Sequence, residues 1–136
     1  WLLATFFGLP ATNWLLVGRW VGHMKSGQFI QPALPKAERI PGELIIGWVV
    51  HYLIGITYGL ILMLCVNPQW VQLPTLLPSL LVAWVGIVAP FFIMMPGMGA
   101  GIAGAKTPNP TVTRIRSFAG HSVFGIGMFL TALALA

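Results

Sequence analysis

Three apolar runs, Leu44 to Val66, Pro74 to Ala105 and Ser117 to Ala136, contain no Asp, Glu, Lys or Arg. A helix crosses about 30 Å of hydrocarbon with roughly 20 predominantly apolar residues, and each run has that length. The expected fold is therefore all-α: an integral membrane four-helix bundle with one short interfacial helix. Only 7% of the 136 residues are charged and the mean hydropathy is +0.89, far from the roughly 25% charged composition of soluble domains.

The basic residues report topology. Lys25, Lys36 and Arg39 lie between the first and second apolar segments, Lys106, Arg114 and Arg116 between the third and fourth, and the intervening stretch 67–73 has no charge. Four spans alternating across a bilayer put both basic loops on one side, which the positive-inside rule makes cytoplasmic. Loops 25–40 and 106–116 are thus expected in the cytoplasm of a bacterium, with loop 67–73 and Ala136 in the periplasm and the spans in the inner membrane. The net charge of +5 forms no stripe that a duplex could track, so no nucleic acid partner is expected. The lone cysteine, Cys65, has no partner for an internal disulfide.

Trp1 to Leu9 supplies nine apolar residues, too few to cross, and reads as the second half of a first span truncated at its start. Residues 12–24, capped by Thr12 or Asn13 and carrying Trp14, Arg19 and Trp20, read as an interfacial helix. Residues 25–40, with Pro32 and Pro35, form the main loop. Pro41 and Glu43 suit the first turn of a span over 41–66. A third span over 74–105 contains Pro74, Pro78, Pro90 and Pro96 followed by four glycines, which predicts a kinked or partly unwound, protein-shielded inner half. Asn109 and Pro110 open the last span, 110–136.

Ionisable groups at membrane depth are costly and face protein or a watery cavity. His23 ends the interfacial helix, His51 lies eight residues past Glu43, and His121 five past Arg116, so the three gather toward the cytoplasmic side. Gly47, His51, Gly55 and Gly59 recur every four residues with Tyr58 close to the same face, a seam for helix packing and for a homo-oligomer. Three readings of the histidines stand: interhelical hydrogen bonding, a metal or haem site, and a proton or ligand path. Met94, Met95 and Met98 add soft ligands that suit copper, and His51 with His121 could ligate haem axially. Arg19, Arg114 and Arg116 with Glu43 form a second cluster suited to a lipid phosphate, set against their plain role as topology markers. No Gly-x-Ser-x-Gly elbow, P-loop or aspartate is present, so no catalytic residue is assigned.

The runs Val17-Gly18-Arg19-Trp20-Val21-Gly22-His23-Met24, Gly42-Glu43 with Gly47-Trp48 and His51-Tyr52, Pro90-Phe91-Phe92 through Met95-Pro96-Gly97-Met98-Gly99-Ala100-Gly101, Lys106-Thr107-Pro108-Asn109-Pro110, Arg114 and Gly120-His121 span nearly the whole chain. As a set they resemble a family of small bacterial inner-membrane proteins of unknown function. The resemblance implies four membrane helices, the first beginning before Trp1, and brings no substrate, cofactor or residue role. The functional expectation is a binding or scaffold protein with an inward-facing pocket drawn from His23, His51, His121, Glu43, Arg19, Tyr58 and Arg114. The alternative is a small transporter, or a metal- or haem-dependent membrane enzyme using the same histidines.

Overall fold

The computed structural model describes residues 12–136; the half-span expected at 1–9 lies outside them. The described residues are helical, without a strand, and run as α1 (Trp14–His23), α2 (Glu43–Cys65), α3 (Pro68–Gln72), α4 (Leu76–Gly97) and α5 (Pro110–Leu135). Three of these, α2, α4 and α5, are long and apolar enough to cross a membrane. Only between 6% and 11% of their most apolar stretches is buried inside the protein, and residues such as Leu64, Val85 and Leu133 face outward. Those outer faces call for an apolar surround.

Asn13 caps α1, its side-chain oxygen accepting from the Leu16 N–H. The helix lies antiparallel to the start of α2, with the Trp14 backbone against Gly47, Gly18 against the Glu43 carbonyl and Gly22 against Ile40. A Cβ on Gly18 or Gly47 would run into the opposing main chain, so the two backbones touch where neither residue has a side chain. Pro41 does not open α2 as expected. Gly42, at φ +74°, caps the helix, and Glu43 begins it. The neutral loop holds a turn that the sequence did not suggest: Asn67 caps α3 by accepting from the Trp70 N–H, and Trp70 is buried with its indole N–H on Thr75.

The helices α4 and α5 pair closely. Trp84 stacks on Phe118 at 5.3 Å and donates to Ser122 Oγ at 2.9 Å, while Gly125 allows contact with Ser79 and Ala83. Helix α4 ends at Gly97, well short of the expected 105, because the backbone turns through positive φ at Gly99, Gly101, Ala103 and Gly104. The kink expected in this span is present as a π-helical segment, Pro90–Met94. Pro90 has no N–H, so the carbonyl four residues earlier, that of Gly86, loses its helical donor. The Tyr58 hydroxyl from α2 replaces it, donating to Gly86 O at 2.7 Å. Tyr58 also meets Phe124 in a T-shaped contact and His121 in a tilted one, tying α2, α4 and α5 at one point.

Candidate functional site

Most of the buried polar chemistry lies where α1 and α4 end and α2 and α5 begin. Gly18 brings α1 close enough for Arg19 to reach across to Glu43. Arg19 Nε donates to Oε2 at 2.7 Å and Nη2 to Oε1 at 2.8 Å, the two-pronged geometry that suits a guanidinium and a carboxylate. Nη1 donates to Pro35 O at 3.2 Å and Ala37 O at 3.4 Å, so every nitrogen of the head group is engaged. The side chains are 6% and 10% exposed. Hydrogen bonding from Glu43, reinforced by its charge, pushes the Arg19 pKa up against the opposing cost of burial. Glu43 also accepts from the Ile40 N–H at 3.2 Å and sits in the first turn of α2, where the helix dipole favours an anion.

This pair folds the 25–40 segment over the helix ends. Leu34 is buried beneath it, 1% exposed. Trp20 donates its indole N–H to Phe29 O at 2.9 Å and lays its ring over Gly97, where a Cβ would stand 2.5 Å from the indole. The Gln31 N–H caps the end of α4 by donating to Gly97 O at 2.7 Å. His23 Nε2 lies 2.9 Å from Glu38 O, and since a carbonyl only accepts, this nitrogen carries the proton. The turn into α5 is fixed by Arg114 Nε donating to Ala103 O at 3.1 Å and by Thr107, which donates to Gly104 O and lies 3.0 Å from Thr113 Oγ1.

Of the seven candidate residues, the structure brings together Arg19 and Glu43, with His23 on the same folded segment. Arg114 belongs to the neighbouring turn. A lipid phosphate would find at most one N–H of Arg19 open, because the carboxylate and two carbonyls take four of its five and the side chain is only 6% exposed. The rings of His51 and His121 have different neighbours. His51 lies against Trp14 at 4.1 Å, with Trp48 and Tyr52 around it, whereas His121 Nδ1 is 2.8 Å from Ser117 O and its ring neighbours Tyr58. Tyr58 is two turns beyond His51 on α2, so His121 sits farther from the Arg19–Glu43 end than counting from Arg116 implied. The reason is that α5 begins at Pro110, which puts His121 eleven residues along its helix and His51 eight along its own. Among the described residues no three His, Cys, Asp or Glu side chains gather as a metal-holding group.

Sequence reasoning missed Gly18, Trp20, Gln31 and Gly97 as members of this assembly. The signal for the first was present as Gly18 and Gly22 spaced four apart in α1. For Gln31 no signal existed, since its contribution is a main-chain N–H. No curated protein and no solved structure matches the chain. A family model described as a protein of unknown function, DUF2938, matches residues 1–135, and the chain belongs to that family.

Proposed function

We propose that the chain is a multi-pass scaffold of the bacterial inner membrane, whose working part is the folded assembly around Arg19 and Glu43. In this reading α2, α4 and α5 span the bilayer, loops 25–40 and 106–116 face the cytoplasm, and loop 67–73 and the C-terminus face the periplasm. The observation that carries it is the Arg19 head group. A guanidinium held through four of its five N–H groups by a carboxylate and two loop carbonyls, and buried with them, is built to fix the segment over the helix ends and not to receive an anion. The separate surroundings of His51 and His121 support packing roles for both, one beneath an indole and one bonded to its own helix.

The scaffold reading expects a His51→Ala, His121→Ala double variant to purify with the helical content, visible spectrum and metal content of the parent. Stoichiometric haem or metal in the parent that the double variant loses would overturn it. Orientation has its own test in Cys65, the single thiol, exposed at the far end of α2. A membrane-impermeant maleimide is expected to label Cys65 in spheroplasts and not in inverted vesicles. A Cys65→Ser, Lys36→Cys variant reverses the pattern; labelling of both thiols from the same side would refute the proposed topology.

A further inference from the structure

The net charge of +5 is displayed entirely at one end of the molecule. Arg19 and Glu43 neutralise each other, leaving Lys25, Lys36, Arg39, Lys106, Arg114 and Arg116 against Glu38, six positive side chains and one negative. Lys25, Lys36 and Arg39 are exposed on the segment between α1 and α2; Lys106 and Arg114 are exposed on the turn into α5 and its first turns. Among the described residues the side chains of Lys25, Lys36, Arg39 and Lys106 make no hydrogen bond or ion pair. The two cationic segments are joined, since Gln31 N–H donates to Gly97 O and Gly99 lies against the Gln31 and Pro32 carbonyls with no room for a Cβ. They form one plate.

The plate is also apolar at chosen points. Phe29 and Ile30, 61% and 69% exposed, stand between Lys25 and Lys36, and Ile102, 58% exposed, stands four residues before Lys106. A soluble anion or an acidic protein face gains nothing from exposed Phe and Ile beside each cluster of cations. A lipid surface gains from both, because cations meet the phosphates while the apolar side chains enter the acyl boundary. We infer that this plate binds the anionic headgroups of the leaflet at its own end of the helices, with the headgroup phosphate as the recognised chemistry. The inference rests on the membrane reading above, which supplies a leaflet at this level.

The test uses the purified full chain in zwitterionic bilayers doped with a spin-labelled lipid, either phosphatidylglycerol or phosphatidylcholine, and reads the relative association of each. Preference for phosphatidylglycerol is expected, falling as salt shortens the Debye length. Lys36→Gln, Arg39→Gln and Lys106→Gln remove no side-chain hydrogen bond among the described residues and are each expected to weaken it about fivefold. Phe29→Ser with Ile30→Ser, which leaves every charge in place, is expected to weaken it too. Equal association of both lipids overturns the inference, as does preference unchanged in the triple charge variant. Displacement of the lipid by inorganic phosphate at matched ionic strength would also overturn it, marking the plate as a site for soluble phosphate. A chain extracted from bilayers by alkaline carbonate would instead sink the membrane reading itself, so the two failures are separable.

Discussion

Gly47→Ala is expected to strip α1 from α2. The added methyl would run into the Trp14 carbonyl, with the carbonyl carbon 2.7 Å away, and both groups belong to main chain that no rotamer change can move. Overpacking of this kind costs about 3 kcal/mol or more when nothing flexible can give way. Separation would also pull Arg19 from Glu43, release the 25–40 segment and expose Trp14 and Trp20. Tryptophan fluorescence should shift red, and a protease cutting after Lys25, Lys36 or Arg39 should cleave far faster than in the parent. Arg19→Ala is the informative companion. It leaves the glycine contact intact but strands Glu43 among carbonyls, so segment 25–40 should become cleavable while α1 stays in place and the fluorescence moves little. If Gly47→Ala keeps parental fluorescence and protease resistance, the backbone crossing is not what holds α1.

Tyr58→Phe is expected to destabilise the chain by about 1 to 2 kcal/mol, because it leaves the Gly86 carbonyl without a donor among apolar helices. Pro90 created that need, which allows a sharper test than the single variant. Pro90→Ala restores a main-chain N–H in reach of Gly86 O, so in that background the loss of the Tyr58 hydroxyl should cost little. A double-mutant cycle by reversible unfolding in detergent micelles should therefore return a coupling of about 1 kcal/mol or more between residues 32 positions apart. Additive costs would show that Tyr58 acts through its ring contacts with Phe124 and His121 alone.

The long helices were legible because absence of charge over some 20 residues is a strong pattern that few other folds produce. The end of α4 was not, since Met98 to Ala105 is as apolar as a span yet carries left-handed glycines, and hydropathy is blind to φ. Trp70 shows the same limit from the other side. The loop between α2 and α4 reads as neutral connecting chain, and only the Asn67 cap followed by Pro68 could have signalled α3. In the candidate site, Glu43 was read in the first turn of its span and Arg19 was grouped with it, but their direct pairing across 24 positions depends on two glycines meeting, which a single sequence does not announce. The neighbours of the histidines were hidden for another reason. Depth can be counted along each helix at about 1.5 Å per residue, whereas azimuth is set by packing, and packing sent His51 to Trp14 and His121 to Tyr58.

The packing is also strongly local. Among the described residues α1 rests on α2 and α4 pairs with α5, and the ties between these two hairpins gather at two places, around Tyr58 with Gly86, His121 and Phe124 and around Gly97 and Gly99 with Trp20 and Gln31. On a ribosome, where the N-terminal part emerges first, the leading hairpin can lock its ion pair before α4 has been translated. It then offers a finished template, with a tyrosine hydroxyl and an amide N–H already in position for the proline-broken helix that arrives next. Synthesis order and architecture are thus matched: the half whose ion pair closes within itself is made first, and the half that needs borrowed donors follows.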